Sequence, residues 1–279
     1  MSNYIILFTE LITKGTIAVK VSAVLLCIFI FVSGLAQFLF PHGPYKQDIL
    51  SRFAPATLSS PLGRDYLGRD IFTRIVYGGR ISLSTGFIVT LVASLIGVVV
   101  GSISGYRGGV VDEVLLRLTD ILLSLPPLIF PMVIIATLGP ELKNAVIAMI
   151  IVYIAPYIRL VRGDVRNLKS VQYIEASIAI GASGNRIMFR HLLPNIIAPI
   201  LVRITLDIGR VIRTLAMLSF LGLGAQPPTP EWGLMTATGR NYLQYWWYSL
   251  SPGFAIFIVS FCIAIIGDAM NDTLNRQKQ

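Results

Sequence analysis

YIEASIAIGASGNRIMFRHLLPN occupies residues 173–195 and separates two strongly apolar runs of the chain. A turn between two membrane-spanning helices needs only a few residues, so a segment of this length requires another explanation. Glu175, Ala176 and Ser177 supply small side chains to a first short helix, and Gly181 permits a sharp turn at its end. The pattern predicts an ordered surface that another protein can grip closely, and it does not fit a merely solvated loop.

The end of the same segment is predicted to return the chain to the membrane. A second short helix is expected over about 185–192, followed by Leu193 and Pro194. Proline at the first positions of a helix costs little, because the backbone N–H that it lacks would have no partner there. Pro194 is therefore predicted to begin the next membrane-spanning helix.

The composition identifies the class of protein. Of 279 residues, 54% are hydrophobic and only 13% are charged, and the mean hydropathy is +0.74. Soluble domains carry about 25% charged residues. The apolar runs are continuous rather than alternating, which favours helices over the strands of a β-barrel. The sequence therefore predicts an all-α integral membrane protein.

Six apolar runs are close to the roughly 20 residues that a helix needs to cross a bilayer. We expect membrane-spanning helices at 18–40, 81–105, 115–138, 144–162, 196–221 and 251–271. The first run is too long for the apolar part of a signal peptide, so we expect it to be retained. The predicted organisation is a cytoplasmic N-terminus (1–17), a first helix (18–40), an extracytoplasmic loop (41–80), a five-helix core (81–272) containing the cytoplasmic segment 163–195, and a cytoplasmic tail (273–279).

Basic residues support this orientation moderately. The net charge is +9 and the pI is about 9.8. Lys and Arg are more frequent in the segments assigned to the cytoplasm, as expected for a membrane protein, although the loop 41–80 is also basic. This distribution accounts for the positive charge without a nucleic-acid partner, and we expect none.

Two spans carry residues that shape helix packing. Gly97, Gly101 and Gly105 recur every four residues, which predicts a flat strip against a neighbouring helix. Pro126, Pro127 and Pro131 lie inside the third predicted span and are expected to kink it.

The two long extracytoplasmic segments have distinct patterns. Ile71, Ile75 and Val76 follow helical spacing after Asp70, which predicts a short amphipathic helix on the outer membrane surface. The segment 222–250 contains four aromatic residues suited to the membrane interface: Tyr245, Trp246, Trp247 and Tyr248.

The fifth span carries charges at membrane depth: Arg203, Asp207, Arg210 and Arg213. Such charges normally face a protein interior or a watery cavity. Asp207 and Arg210 are three residues apart and can pair, so the group either lines a transport pathway or gate, or forms a buried neutral pair. Arg117 and Asp120 share this spacing, with Arg117 expected to reach the inner membrane surface.

No catalytic or metal-binding motif is present. The chain has no phosphate-binding loop of the type GxxxxGK[ST], no HExxH and no GxSxG. Cys27 and Cys262 are expected to be buried apolar residues, and His42 and His191 have no neighbouring ligands in the sequence. We therefore expect neither an enzyme nor a metal site, and any energy for transport must come from an ion gradient or another subunit.

The opening segment resembles the EAA motif of ABC importer permeases. That motif consists of Glu-Ala-Ala, three residues, Gly and a distal Leu-Pro. This chain has Glu175-Ala176-Ser177, Gly181 and Leu193-Pro194, with Ser177 in place of the second Ala. The resemblance implies that the segment is a coupling helix that docks into an ATPase subunit.

The resemblance extends from about residue 61 to residue 272. It includes PLGRDYLGRDIFTRIVYGGRISL (61–83), GYRGGVVDEVLLRLTD (105–120), RHLLPN (190–195), LSFLGLGAQPPTPEWG (218–233) and GDAMNDTL (267–274). Together these stretches resemble the second permease of the dipeptide/oligopeptide/nickel family of ABC importers, the binding-protein-dependent transport system inner-membrane components.

The family implies several properties of this chain. They are a type I permease fold with a cytoplasmic N-terminus in the inner membrane of a prokaryote, a homologous permease partner, an extracytoplasmic solute-binding protein, and two ATPase subunits that hold ATP and Mg²⁺. The binding protein is expected to meet the outer face, where 222–250 could contact it. No cofactor is expected in this chain itself.

The cargo stays open between peptides and nickel, as ion or chelate. Many peptide permeases of this type carry Glu shortly before the LSFLG stretch, where this chain has Leu215, and several nickel permeases lack that acid. The resemblance therefore leans slightly towards nickel. Two other classes are kept: an ion-coupled secondary transporter with Asp207 and Asp120 as proton sites, and a membrane scaffold or receptor that transports nothing.

Overall fold

The computed structural model describes residues 15–276, and the regular structure of that range is helical. Of the predicted N-terminal segment only residues 15–17 are described, whereas the predicted tail is described as far as residue 276; Lys14 and Lys278 lie outside the described residues. The α-helices are α1 Ile17–Gly34, α2 Ala36–Leu39, α3 Ile71–Arg107, α4 Gly109–Ser124, α5 Ile129–Leu138, α6 Leu142–Lys169, α7 Gln172–Ala179, α8 Gly184–Ile187, α9 Leu193–Phe220, α10 Trp232–Gly239 and α11 Trp246–Arg276. Short 3₁₀ turns cover Ile49–Ser51 and Arg240–Tyr245, and a π-helical turn covers Met188–Leu192.

Within residues 15–276, five helical stretches are long and apolar enough to cross a membrane, and a sixth span results if the bent pair α4 and α5 is counted as one. The two helices of that pair meet at 92°. With 16 and 10 residues they measure about 24 and 15 Å, so neither alone crosses a hydrocarbon core of about 30 Å. The third span, predicted as one kinked helix over 115–138, is thus two helices broken at Pro126 and Pro127.

The second span begins ten residues earlier than predicted. Asp70 caps α3 by accepting hydrogen bonds from the backbone N–H and the hydroxyl of Thr73, at 2.8 and 2.5 Å. The helix then runs without interruption to Arg107, about 55 Å in all. The prediction of a separate surface helix after Asp70 is therefore wrong. Its apolar residues are buried because they pack against protein: Ile71 and Ile75 belong to one core cluster with Trp232.

The glycine strip packs α3 against α6, as predicted. A Cβ atom built on Gly97 would lie 2.3 Å from the Cβ of Tyr157, and one on Gly101 would lie 2.7 Å from the carbonyl oxygen of Ile158. The same test on Gly105 gives 2.8 Å to the carbonyl oxygen of Arg162. The two backbones come into close contact at each of these three glycines, and only glycine allows this approach.

We expect Gly101→Ala to destabilise the protein, by roughly 1–3 kcal/mol, because the added methyl group must push α6 away. Gly163→Ala is the matched control, since nothing lies within 4 Å of a Cβ atom at that helical position. This control should be neutral or slightly stabilising through helix propensity. Thermal unfolding of the two purified variants measures the difference. Equal melting temperatures would contradict the packing described here.

An ion pair joins three helices at the end of the bundle near segment 173–195. Asp112, in the first turn of α4, accepts two hydrogen bonds from Arg162 of α6, at 2.5 and 2.7 Å, and one from the hydroxyl of Ser104 of α3 at 2.6 Å. Nearby, Arg117 and Asp120 share the spacing of Asp207 and Arg210 but do not pair with each other. Arg117 binds Glu113 at 2.7 Å, and Asp120 binds Arg159 instead.

The opposite end of the bundle holds the long loops. Within 41–70, Arg64 binds Asp48 at 2.8 Å and the buried Arg69 binds the buried Asp65 at 2.6 Å. The aromatic group after Gly239 is only partly interfacial: Trp246 is exposed, whereas Tyr248 is buried in the core.

The two cysteines, both predicted to be buried, differ. Cys262 is buried, whereas Cys27 lies on an exposed face of α1.

Candidate functional site

The candidate coupling segment, residues 171–195, is attached to the bundle by one face only. Ile174, Ile187 and Leu192 are buried in a cluster with residues of α6 and α9. Glu175 and Ala176 point away from that cluster and are exposed. One face of the segment therefore packs against α6 and α9, while Glu175 and Ala176 on the opposite face stay accessible.

Gly181 ends α7 in the way that the sequence predicts. Its φ is +81°, a left-handed conformation that side chains other than glycine disfavour. Its N–H donates to the carbonyl of Ile178 at 2.9 Å, and the N–H of Ala182 donates to the carbonyl of Ser177 at 3.1 Å. This pair of bonds is a Schellman ending, and it fixes the direction in which the chain leaves the helix.

The second half of the segment differs from the prediction of a separate helix over 185–192. The α-helix Gly184–Ile187 passes into a π-helical turn, Met188–Leu192, and then directly into α9. Leu193 opens α9 and Pro194 lies in its first turn. The second half of the segment and the fifth span are thus one continuous helical rod of 37 residues with a π-helical irregularity.

Further contacts tie the segment, and the end of α6 that precedes it, to the second span. Lys169, at the end of α6, donates to the carbonyl of Tyr106 at 2.9 Å and lies 5.1 Å from the centre of its ring. A Cβ atom on Gly184 would lie 3.0 Å from the hydroxyl of Tyr106. A displacement of the segment therefore acts on α3, α6 and α9 together.

Sequence reasoning missed the apolar character of the exposed face of this segment. Tyr173, Ile178, Ile180 and Phe189 are 45%, 42%, 86% and 71% exposed. In the sequence, the glycines and charged residues of the segment give it a polar appearance. The signal was present in the large apolar residues between them, which a free loop has no reason to carry.

Three of the charged residues of the fifth span form a compact cluster around Asp207, and Arg213 lies apart from it. Asp207 is fully buried, and its two carboxylate oxygens accept from Arg203 at 2.7 Å and from Arg210 at 3.0 Å. Arg203 and Arg210 are themselves partly exposed. Arg213, one turn further on, is exposed and makes no ion pair within residues 15–276.

The surroundings of this cluster explain how Leu215 is accommodated. Tyr153 and Thr214 lie beside the Asp207 cluster, with their hydroxyl oxygens 3.3 Å apart. Leu215 points the other way, into an apolar cluster with Val89 and Met149. Position 215 therefore belongs to the packing between helices, and Arg210 finds its partner in Asp207 instead.

The ion-coupled secondary transporter finds little support in the placement of its candidate proton sites. Asp120, offered as a proton site, is exposed and paired with Arg159, while Asp207 is held between two arginines. Among residues 15–276, no three His, Cys, Asp or Glu side chains are grouped so that they could hold a metal ion.

At the end of the bundle remote from the coupling segment, Glu231 anchors α10. Its carboxylate accepts from the N–H groups of Gly233 and Leu234, at 2.9 and 2.8 Å, and contacts the hydroxyl of Ser82 on α3. The side chain is buried, and this burial raises its pKa. Glu231 thereby fastens the loop 222–250 to the second span.

Comparison with known proteins decides the family. Residues 97–278 match the model of the binding-protein-dependent transport system inner membrane component. The chain belongs to this family. The match includes the coupling segment and the charged part of α9, so both candidate sites lie in the part of the chain that defines the family.

Similar members of the family are named as peptide permeases. The chain is 40% identical to the dipeptide transport system permease protein DppC of Alkalihalophilus pseudofirmus, over 94% of this chain and 86% of that protein. It is 38% identical to the probable D,D-dipeptide transport system permease protein DdpC of Escherichia coli, over 94% and 88%. It is also 38% identical to the di/tripeptide transport system permease protein DppC of Pseudomonas aeruginosa, over 89% and 84%.

As a member of this family, the protein is an inner-membrane transport component and not an enzyme. Its several membrane-spanning helices agree with that location.

Proposed function

We propose that this chain is a permease subunit of an ABC importer that carries di- or other short peptides across the cytoplasmic membrane. A homologous permease would complete the pathway, two ATPase subunits holding ATP and Mg²⁺ would dock on the cytoplasmic face, and an extracytoplasmic binding protein would deliver the peptide. The observation that carries this proposal is the coupling segment, whose exposed apolar face at the end of the bundle requires a protein partner.

The transmission of motion follows from the attachment of this segment. The buried face of α7 and the rod formed by α8, the π-helical turn and α9 link the segment to three spans. Closure of the ATPase pair would displace the segment, and α9 would carry the displacement to the charged cluster around Asp207. The cluster would in this way alternate between inward and outward access.

The exposed arginines of α9 favour a peptide over a bare metal cation. Charged groups at membrane depth face protein or water rather than lipid, so Arg210 and Arg213 are expected to face the pathway and the partner permease. Guanidinium groups bind carboxylates and repel Ni²⁺. The printed names of the relatives point to peptides as well. The slight preference for nickel based on Leu215 gains no support, because that residue faces the helix packing and not the exposed arginines.

Uptake of a labelled dipeptide and of labelled nickel, side by side in cells with and without the gene, tests the proposed cargo. We expect deletion to abolish the uptake of dipeptide that depends on this system and to leave nickel uptake unchanged. Loss of nickel uptake alone would overturn the peptide proposal. Re-expression of the intact gene is the control, and it should restore dipeptide uptake.

A further inference from the structure

A groove on the side of the bundle lies between α1, α3, α9 and α11. Its volume is about 410 Å³. Most of its wall is hydrocarbon, contributed by Leu26, Ile30, Leu83, Phe87, Ile208 and Ile263.

Two polar groups without partners lie together at one end of this groove. The hydroxyl of Ser33 is buried, with Ser33 only 2% exposed, and it makes no hydrogen bond. It packs against the backbone of Gly79, where a Cβ atom would come within 2.3 Å of it. The next residue, Arg80, is exposed and makes no hydrogen bond or ion pair within residues 15–276.

The other polar side chains of the groove are satisfied. Ser84 donates to the carbonyl of Ile81 at 3.1 Å, and Thr205 donates to that of Leu201 at 3.0 Å. No acidic residue lines the groove. One end therefore offers a cation and a hydroxyl donor with no acceptor, and the rest offers hydrocarbon.

The polar end lies at the level expected for lipid headgroups. Ser33 is in the last turn of α1, the first membrane-spanning helix, which ends at Gly34. From Arg80 to Phe87 on α3, and from Ser33 to Leu26 on α1, the groove extends about 10 Å into the bilayer. That is about two thirds of the hydrocarbon thickness of one leaflet, which is roughly 15 Å.

We propose that this groove binds an anionic phospholipid of the leaflet remote from the coupling segment. The phosphate oxygens accept from Arg80 and Ser33, and one acyl chain fills the apolar part. A membrane-spanning helix of a partner would supply hydrocarbon but, since its carbonyls are bonded internally, neither an acceptor for Ser33 nor a charge for Arg80. This site is independent of the cargo proposed above.

A photocrosslinking experiment identifies the occupant. Ser84 is exposed within the groove, so Ser84→p-benzoylphenylalanine places the reactive group beside the proposed acyl chain. After irradiation of the complete transporter in native membranes, we expect an adduct with the mass of a phospholipid. An adduct with the partner permease would overturn the proposal.

A binding measurement tests the role of the charge. Complete transporter is purified, stripped of lipid and titrated with phosphatidylglycerol, with phosphatidylcholine and with inorganic phosphate. We expect Arg80→Gln to weaken phosphatidylglycerol binding roughly fivefold and to remove its preference over phosphatidylcholine, since one basic residue at an anionic lipid surface contributes about that factor. Arg80→Lys should keep most of the affinity.

Arg240→Gln is the matched control, because it removes one exposed positive charge at the same end of the bundle. It should bind phosphatidylglycerol as the unchanged protein does. Equal affinities of Arg80→Gln and Arg240→Gln would contradict the proposal, as would competition by inorganic phosphate alone. If Arg80→Gln fails to assemble, the mass of the Ser84 adduct still identifies the occupant of the groove. The phosphatidylglycerol affinity of Arg80→Lys still tests whether a positive charge at this position is sufficient.

Discussion

Replacing Asp207 with alanine is expected to lower the free energy of unfolding by roughly 3 kcal/mol, the lower part of the range for breaking a buried ion pair. Asp207 is fully buried, and it is the ion-pair partner of both Arg203 and Arg210. The variant would leave two guanidinium groups at membrane depth without a counter-charge. Because both arginines are partly exposed, solvation of their guanidinium groups can relieve part of the cost, which is why the lower figure is expected.

Asp120→Ala is the matched control for this prediction. Its carboxylate also pairs with an arginine, here one on a neighbouring helix, but both side chains are exposed. Exposed ion pairs contribute about 0–1 kcal/mol, so this variant should unfold almost like the unchanged protein. Thermal unfolding of the purified transporter, together with dipeptide uptake, measures both variants. Similar behaviour of the two would show that the Asp207 cluster has no special role.

Replacing Gly181 with valine is expected to reduce transport about tenfold while ATP hydrolysis by the docked subunits continues. A β-branched residue at φ +81° is a conformational outlier, and a left-handed residue costs roughly 1–2 kcal/mol. That cost corresponds to about a tenfold change in the population of the correctly shaped turn. No neighbouring atom lies within 4 Å of a Cβ atom here, so the effect comes from the backbone and not from crowding.

Two variants separate this effect from general strain. Gly181→Asn should retain transport, because asparagine tolerates the left-handed conformation better than other side chains. Gly43→Val introduces the same kind of strain at φ +72°, also with open space around the Cβ atom, but in the loop at the other end of the bundle. We expect this control to transport normally. The ratio of peptide transported to ATP hydrolysed is the measured quantity, and an unchanged ratio in Gly181→Val would refute a coupling role for the turn.

The sequence predicted the helical class and most spans, because the surface of each long apolar run must be either buried in protein or exposed to lipid. It failed where protein packing replaces lipid contact. Ile71, Ile75 and Val76 show the spacing of a surface helix, yet all three are buried, and Ile71 and Ile75 belong to one cluster with Trp232 and Tyr248, which are far away in the sequence. The angle between the two helices at Pro126 and Pro127 could not be predicted from the sequence either, because proline indicates a break in a helix but not the size of the bend.

The two candidate sites differed in how much could be predicted. The turn at Gly181 follows from local chemistry, so its position and conformation were foreseen. The pairing of Asp207 with Arg210 follows from helical spacing, and it formed as expected. Arg117 and Asp120 have the same spacing but found other partners, because both are exposed and Arg159 of α6 lies within reach of Asp120. Spacing predicts a pair only where no neighbouring helix competes.

The most direct test of the central claim is transport by the complete complex reconstituted in lipid vesicles. The two permeases and the ATPase pair would be inserted with the ATPase face accessible to added nucleotide, and the peptide-loaded binding protein would be present on the opposite side. We predict dipeptide transport that requires hydrolysable ATP, stops with a non-hydrolysable analogue and is insensitive to a protonophore. Transport that continues without ATP and collapses when the proton gradient is removed would contradict the account.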